Sequence, residues 1–272
     1  MDVVNAVILG VVQGLTEFLP VSSSGHLVLG KYILGFQEQG IEFEVFVHFG
    51  TLLAVFTVFR RDMWNLLLGF FSIFTVNYRQ RGFKNHYKQE VNFRTFLFVL
   101  IASIPAAIIG LLFKDSIEST FSNPRFACLM LIITALILFL TIFVKKLDKE
   151  LSLRNTFIIG VAQAFAILPG ISRSGSTICT GLYQGVNGME AARFSFILAI
   201  PAILGATLLQ SIEVIQSGIG GDVFVTLATG MIAAYVSGFF AIESLLAIVK
   251  RGKLYWFAPY CLLVGILGLI FI

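Results

Sequence analysis

Two short segments of the chain carry polar chemistry that their apolar surroundings do not explain. The first runs from Gln13 to His26 and holds Gln13, Glu17, Ser22, Ser23, Ser24, Gly25 and His26. The second runs from Gln163 to Thr177 and holds Gln163, Gly170, Ser172, Arg173, Ser174, Gly175 and Thr177. Gln13 and Glu17 are four apart, so a helix would place them on one face. An ionisable Glu inside an apolar run is costly, and such residues face a cavity and take a partner. Arg173 is the cation at comparable depth and is the expected partner of Glu17. Each serine triplet stands where the second half of a broken helix would begin, and one serine there suffices as an N-cap. The surplus hydroxyls, Gly25, Gly175, Arg173 and two helix N-termini together describe an anion site. Exposed N–H groups and the helix dipole attract phosphate, and a guanidinium grips its oxygens in a planar fork. The simpler alternative is a structural Glu17–Arg173 pair, which leaves the extra hydroxyls unexplained. His26 follows Ser23 by about one helical turn and is read as functional, whereas His48 and His86 are read as satisfied buried residues. Metal binding through Glu17 is open, but no dense carboxylate set and no His-x-x-x-His spacing supports a protein-caged ion.

The elements that must position these groups are membrane elements. Of the 272 residues, 57% are hydrophobic and only 12% charged, with a mean hydropathy of +0.92. Roughly a quarter of an ordinary soluble domain is charged, so the composition points to a polytopic helical membrane protein. The net charge of +4 does not indicate nucleic acid, because the cations lie in short loops between apolar runs, as the positive-inside rule describes. Cys128, Cys179 and Cys261 fall in apolar runs and read as buried small hydrophobes. The first residues lack a basic region and a cleavage site, so a removed signal peptide is not expected.

Residues 3–34 and 155–184 read as two re-entrant hairpins, broken at Pro20 and at Pro169-Gly170. Non-helical backbone at that depth requires a covering of protein or a water-filled cavity. Six spans are predicted at 43–59, 96–113, 126–144, 193–217, 223–249 and 254–272. Residues 63–76 are apolar but short, residues 37–44 form an acidic loop, and residues 78–94 form the longest polar loop, expected to be cytoplasmic. Residues 114–125 form an external loop, and Pro105 is expected to kink its span. Each hairpin precedes three spans, so the second half enters from the opposite face. The fold class is therefore an all-α polytopic membrane protein of one integral domain, 1–272, built as an inverted-topology repeat of about 1–144 and 155–272. At an offset of 150, Ile8, Gly10, Val11, Gln13, Ser22, Ser24 and Gly25 match Ile158, Gly160, Val161, Gln163, Ser172, Ser174 and Gly175. The prolines slip by one position. Such repeats place their ligand site near the midplane, and the charge rule puts both termini outside.

Gln13-x-x-x-Glu17 followed by Pro20-Val21-Ser22-Ser23-Ser24-Gly25-His26, together with Pro169-Gly170-Ile171-Ser172-Arg173-Ser174-Gly175-Ser176-Thr177, resembles the two motifs of the undecaprenyl-diphosphatase, or bacitracin-resistance, family. The resemblance runs over the whole chain. In that family the first motif begins with Glu or Gln, and Gln13 leaves Glu17 as its one carboxylate. The resemblance implies hydrolysis of undecaprenyl diphosphate to undecaprenyl phosphate and inorganic phosphate, which recycles the lipid carrier of peptidoglycan synthesis and confers bacitracin resistance. It also implies a bacterial plasma-membrane location, stimulation by Mg²⁺ or Ca²⁺, and a site opening toward the outer face. On this reading Arg173, Ser172, Ser174 and Thr177 hold the terminal phosphoryl group, with Gln13, Ser22, Ser24, Gly25, Gly170 and Gly175 completing the substrate site. Ser23 is the candidate nucleophile, and Glu17, or else His26, activates it or a water. Glu17 would also face the cation. The expected partners are a polyprenyl diphosphate lipid, the bilayer and, as an option left open, a second copy of the chain. Architecture alone serves a transporter or flippase of phosphate or a prenyl phosphate equally well; the motifs favour the enzyme.

Overall fold

The computed structural model describes residues 2–34, 41–145, 147–217 and 221–272. Among them there is no strand, only an isolated bridge between Lys149 and Val186. The first hairpin is α1 (Val3–Phe18) and α2 (Ser23–Leu34), followed by α3 (Ile41–Val58), α4 (Arg60–Phe71), α5 (Val76–Gln89), α6 (Val91–Leu112), α7 (Lys114–Thr120) and α8 (Pro124–Phe139). The second hairpin is α9 (Leu153–Phe165) and α10 (Arg173–Tyr183), followed by α11 (Gly188–Ser217), α12 (Gly221–Lys250) and α13 (Ala258–Phe271). Helices α6, α11 and α12, α8 with the 3₁₀ turn that extends it, and α13 with the 3₁₀ turn (Leu254–Phe257) that precedes it are long and apolar enough to cross a membrane, and α3 with α4 forms a sixth, bent candidate. The chain is thus an all-α, multi-pass membrane protein. The expected acidic loop at 37–44 lies outside the described residues up to position 40; from Ile41 the chain is helical, with Glu42 and Glu44 in the first turn of α3.

Helix starts follow from local chemistry. Asp2 caps α1 through Asn5 N–H at 2.7 Å. Asn123 caps α8 through Phe126 N–H at 3.1 Å, just before Pro124, which needs no N–H at the first helical position. Polar stretches expected as loops are helical instead: residues 76–89 form α5, kinked at Gly82 with φ 69°, and residues 114–120 form α7. Pro105 lies within α6, whose helical run spans Val91–Leu112. The short apolar run after Arg61 does not continue α3. The chain turns by 85° at Phe59, so α4 runs across the end of the bundle, where Gly69 abuts the Asn92–Phe93 backbone at the start of α6.

One end of the bundle gathers the basic connections. Arg193 pairs with Asp62, Leu151 N–H donates to Glu190 Oε1 at 3.2 Å, and Val144 and Leu147 pack against the core that includes Val249 and Leu254. Lys146, one of the expected basic residues there, lies outside the described residues.

The two hairpins dock reciprocally. α1 lies along α12, and α9 lies along α6. A Cβ on Gly10 would overlap the Gly230 carbonyl of α12, and one on Gly160 would overlap the Ala102 carbonyl of α6. Gly10 and Gly160 are an offset-150 pair, so equivalent glycines permit equivalent backbone approaches. The third spans of the two halves, α8 and α13, pack on each other. The central core lies behind the first hairpin tip, where Phe18 meets Phe196 at 5.8 Å and Phe196 meets Phe59 at 5.5 Å between ring centroids. The three cysteines are free and buried, as expected.

Candidate active site at the paired hairpin tips

Each hairpin tip is closed by the same hydroxyl geometry. Ser22 Oγ accepts from Gly25 N–H at 3.2 Å and lies 3.2 Å from Ser24 Oγ. Ser172 Oγ accepts from Gly175 N–H at 3.1 Å and lies 3.2 Å from Ser174 Oγ. A cap of this kind takes one first-turn N–H and leaves the preceding ones, at the start of α2 and α10, free for a ligand. The tips also touch. A Cβ on Gly25 would stand 2.9 Å from Gly170 Cα, and one on Gly175 would stand 3.3 Å from Pro20 Cβ. Ser174 Oγ donates across to the Leu19 carbonyl at 3.3 Å.

At this junction the charged groups meet. Arg173 Nη2 donates to Glu17 Oε1 at 2.5 Å, joining residues 156 positions apart. Glu17 Oε2 accepts from Ser23 Oγ at 2.7 Å and from Gln13 Nε2 at 3.0 Å. Gln13 is fully buried, and Glu17 is 9% exposed. One carboxylate therefore takes an amide, a hydroxyl and a guanidinium. Burying such a charge is tolerable because both carboxylate oxygens accept hydrogen bonds and one of the donors is a cation. Helix spacing sets Gln13 over Glu17, the turn at 19–22 brings Ser23 back, and the second tip delivers Arg173.

The remaining expected residues are placed differently. His26 is bound through Nδ1 to the Ser22 carbonyl at 2.8 Å and through Nε2 to the Tyr260 hydroxyl at 2.7 Å, and its ring stacks on Tyr260. Its described bonds reach neither Ser23 nor Glu17. Thr177 Oγ1 turns to the Arg173 carbonyl at 2.8 Å and to Ser195 Oγ at 2.5 Å, which ties α10 to α11. Gln163 is buried like Gln13, yet both of its amide atoms lack a hydrogen-bond partner. His86 is buried, as expected, with Nε2 2.9 Å from Ser72 Oγ, but it is not fully satisfied, because its Nδ1 lacks a hydrogen-bond partner.

His48 corrects the sequence reading. It is not a buried core residue: its side chain is 25% exposed, with Nε2 4.0 Å from Glu17 Oε2 and 3.3 Å from Gln13 Nε2. Thr134 was also missed. Its hydroxyl donates to the Gly170 carbonyl at 2.9 Å and accepts from Ser172 N–H at 3.0 Å, pinning the second tip to α8.

The family described as bacitracin resistance protein BacA matches residues 6–267. The chain belongs to this family. It is similar to the undecaprenyl-diphosphatase of Salinibacter ruber, with 44% identity over 97% of each chain. It is also similar to proteins of the same name from Christiangramia forsetii, 45% identical over 100% of this chain and 98% of the relative, and from Bacteroides fragilis, 41% identical over 99% and 98%. In this BacA family member, the paired tips are where the acidic, hydroxyl and cationic side chains converge.

Proposed function

We propose that the paired tips are the reaction centre of the phosphatase activity that family membership assigns. The chain is an undecaprenyl-diphosphatase, releasing inorganic phosphate from undecaprenyl diphosphate and returning undecaprenyl phosphate to cell-wall synthesis; bacitracin resistance is the family's association. The observation that carries the site assignment is the Glu17–Arg173 contact, which unites two segments that are weak signals when taken separately.

Phosphoryl transfer is largely positioning and charge neutralisation. One nitrogen of the Arg173 fork is committed to Glu17. The remaining donors, with the free first-turn N–H groups of α2 and α10, receive the terminal phosphoryl oxygens. Ser23 Oγ already points its proton at Glu17 Oε2. In the covalent scheme Ser23 Oγ forms a bond to the terminal phosphorus, and its proton passes to Glu17. The bridging P–O bond breaks, undecaprenyl phosphate leaves, and water then cleaves the phosphoserine. In the direct scheme Glu17 takes the proton of a water that attacks the same phosphorus.

A divalent cation, Mg²⁺ or Ca²⁺, fits the donor set. Gln13 Oε1 is buried with no hydrogen-bond partner beside the Glu17 carboxylate, and both are hard oxygen donors. The described residues contain no group of three His, Cys, Asp or Glu, so the other ligands would be water and diphosphate oxygens. A bound cation would neutralise phosphate charge. The reciprocal docking of α1 on α12 and α9 on α6 supports the inverted repeat of 1–144 and 155–272. The gathering of basic connections at one end supports a plasma-membrane orientation with both termini outside and the site accessible from the outer face. The same architecture suits a flippase. Phosphate release from a polyprenyl diphosphate by the purified chain in detergent discriminates the two, since transport alone gives no release. E17A or R173A releasing phosphate at near the parental rate would overturn the site assignment.

A further inference from the structure

The hydrogen bonds around Gln13 point to a fifth participant. His48 Nδ1 lies 2.7 Å from the Glu44 carbonyl one turn earlier on α3. A carbonyl only accepts, so Nδ1 carries the proton and donates. In the neutral ring Nε2 is then the acceptor. Nε2 faces Gln13 Nε2 at 3.3 Å, and that amide nitrogen also donates to Glu17 at 3.0 Å. An NH₂ group has two hydrogens, and both are taken. The opposite amide orientation would set the carbonyl oxygen of Gln13 against the Glu17 carboxylate and against the His48 lone pair. Two acceptors therefore dictate one amide orientation.

We propose that His48 is a positioning residue for the phosphatase reaction, acting through Gln13. Its fixed Nε2 lone pair keeps the Gln13 nitrogen turned inward, which holds Glu17 Oε2 on the Ser23 hydroxyl and leaves Gln13 Oε1 free for the substrate complex. This rests on the reading of Gln13, Glu17, Ser23 and Arg173 as the reaction centre. It assigns His48 no contact with the phosphoryl group. In the second half of the chain the offset-150 equivalent of Gln13, Gln163, is buried with no partner on either amide atom, so no such acceptor holds it.

The test compares H48L, H48Q, Q13L and H48L/Q13L in the full-length chain purified in detergent, with phosphate release from a polyprenyl diphosphate and the melting temperature as readouts. H48L should lower kcat about tenfold, the usual cost of removing a group that orients a catalytic ligand. It should leave KM within about twofold and lower the melting temperature modestly, because one buried Gln13 N–H loses its acceptor. In H48Q a side-chain carbonyl supplies the acceptor, and most of the rate should return. In the Q13L background H48L should cost nothing more, because the group it orients is gone. An H48L enzyme at the parental rate, a loss that H48Q does not recover, or losses that multiply in the double variant would each overturn the proposal. A rate loss in H48L that vanishes when the assay is run well below its melting temperature would make His48 merely structural. E17A separates the two failures: if E17A also keeps its rate, the reaction centre is misassigned, whereas an inactive E17A beside an active H48L removes only the role of His48.

Discussion

The two hairpin tips share a frame and differ in nearly every group that could react. Ser22 and Ser172 form the same cap, Ser24 and Ser174 the same hydroxyl pair, and Gly25 and Gly175 the same close approach to the opposite tip. At the positions between and around them the residues diverge. Ser23 opposes Arg173, Glu17 opposes Ile167, and His26 opposes Ser176 at the same offset. The repeated positions shape the turn, and the unrepeated ones supply a hydroxyl and a carboxylate from one side and a guanidinium from the other. Even the frame has one local difference. The second tip turns through Gly170 at φ 97°, whereas the first carries Pro20 at that position and turns through Ser22 at φ 69°. Proline is locked near −65°, so the left-handed residue falls two positions later, on a side chain that bears the strain because it also caps.

This comparison can be broken at several levels. The largest effect is expected where the tips are most unlike: E17A or R173A should lower phosphate release roughly a thousandfold, on the scale of a lost electrostatic donor or more. S23A should cost on the order of a hundredfold in the covalent scheme, and a variant that keeps most of its rate assigns the attack to water. The glutamines come next. Q13L should lose about tenfold in rate, whereas Q163L should keep the rate and gain up to ~1 kcal/mol of stability, since it removes a buried amide without partners. The smallest effects concern the frame. G170A should cost ~1–2 kcal/mol from its left-handed backbone alone, and more because its Cβ would meet Met130 Cβ at 2.7 Å. S22G should be nearly neutral, its relaxed backbone offsetting a capping loss of a few tenths of a kcal/mol. Thermal unfolding in detergent reads both, and equal costs at the two positions would show that the tips turn alike after all.

Much of this plan is legible in sequence because hydropathy and breaks in it are local signals. The six spans, the two hairpins and the Glu17–Arg173 pairing all follow from run lengths, from Pro20 and Pro169, and from the offset between motifs. The helices α5 and α7 are not legible this way, because short polar helices carry no apolar stripe long enough to separate them from loops. His48, Thr134 and Tyr260 escape for another reason. Each lies in an apolar helix whose pattern looks complete without it, and its role depends on a neighbour contributed by a distant element: Gln13, Gly170 and His26 respectively. The assignment of His26 to Ser23 illustrates the limit of spacing. One helical turn brings two residues to the same region, but the ring nitrogens go to Ser22 and Tyr260.

The contact between Glu17 and Arg173 also sets where an anion would lie in the proposed reaction centre. One guanidinium nitrogen stays with one carboxylate oxygen while the other carboxylate oxygen holds the Ser23 hydroxyl, so phosphoryl oxygens on the remaining donors would sit beside the group that takes the proton. The pair that joins the hairpins would thereby fix the spacing between clamp and base before any ligand arrives, and a shift of either tip would disturb both at once.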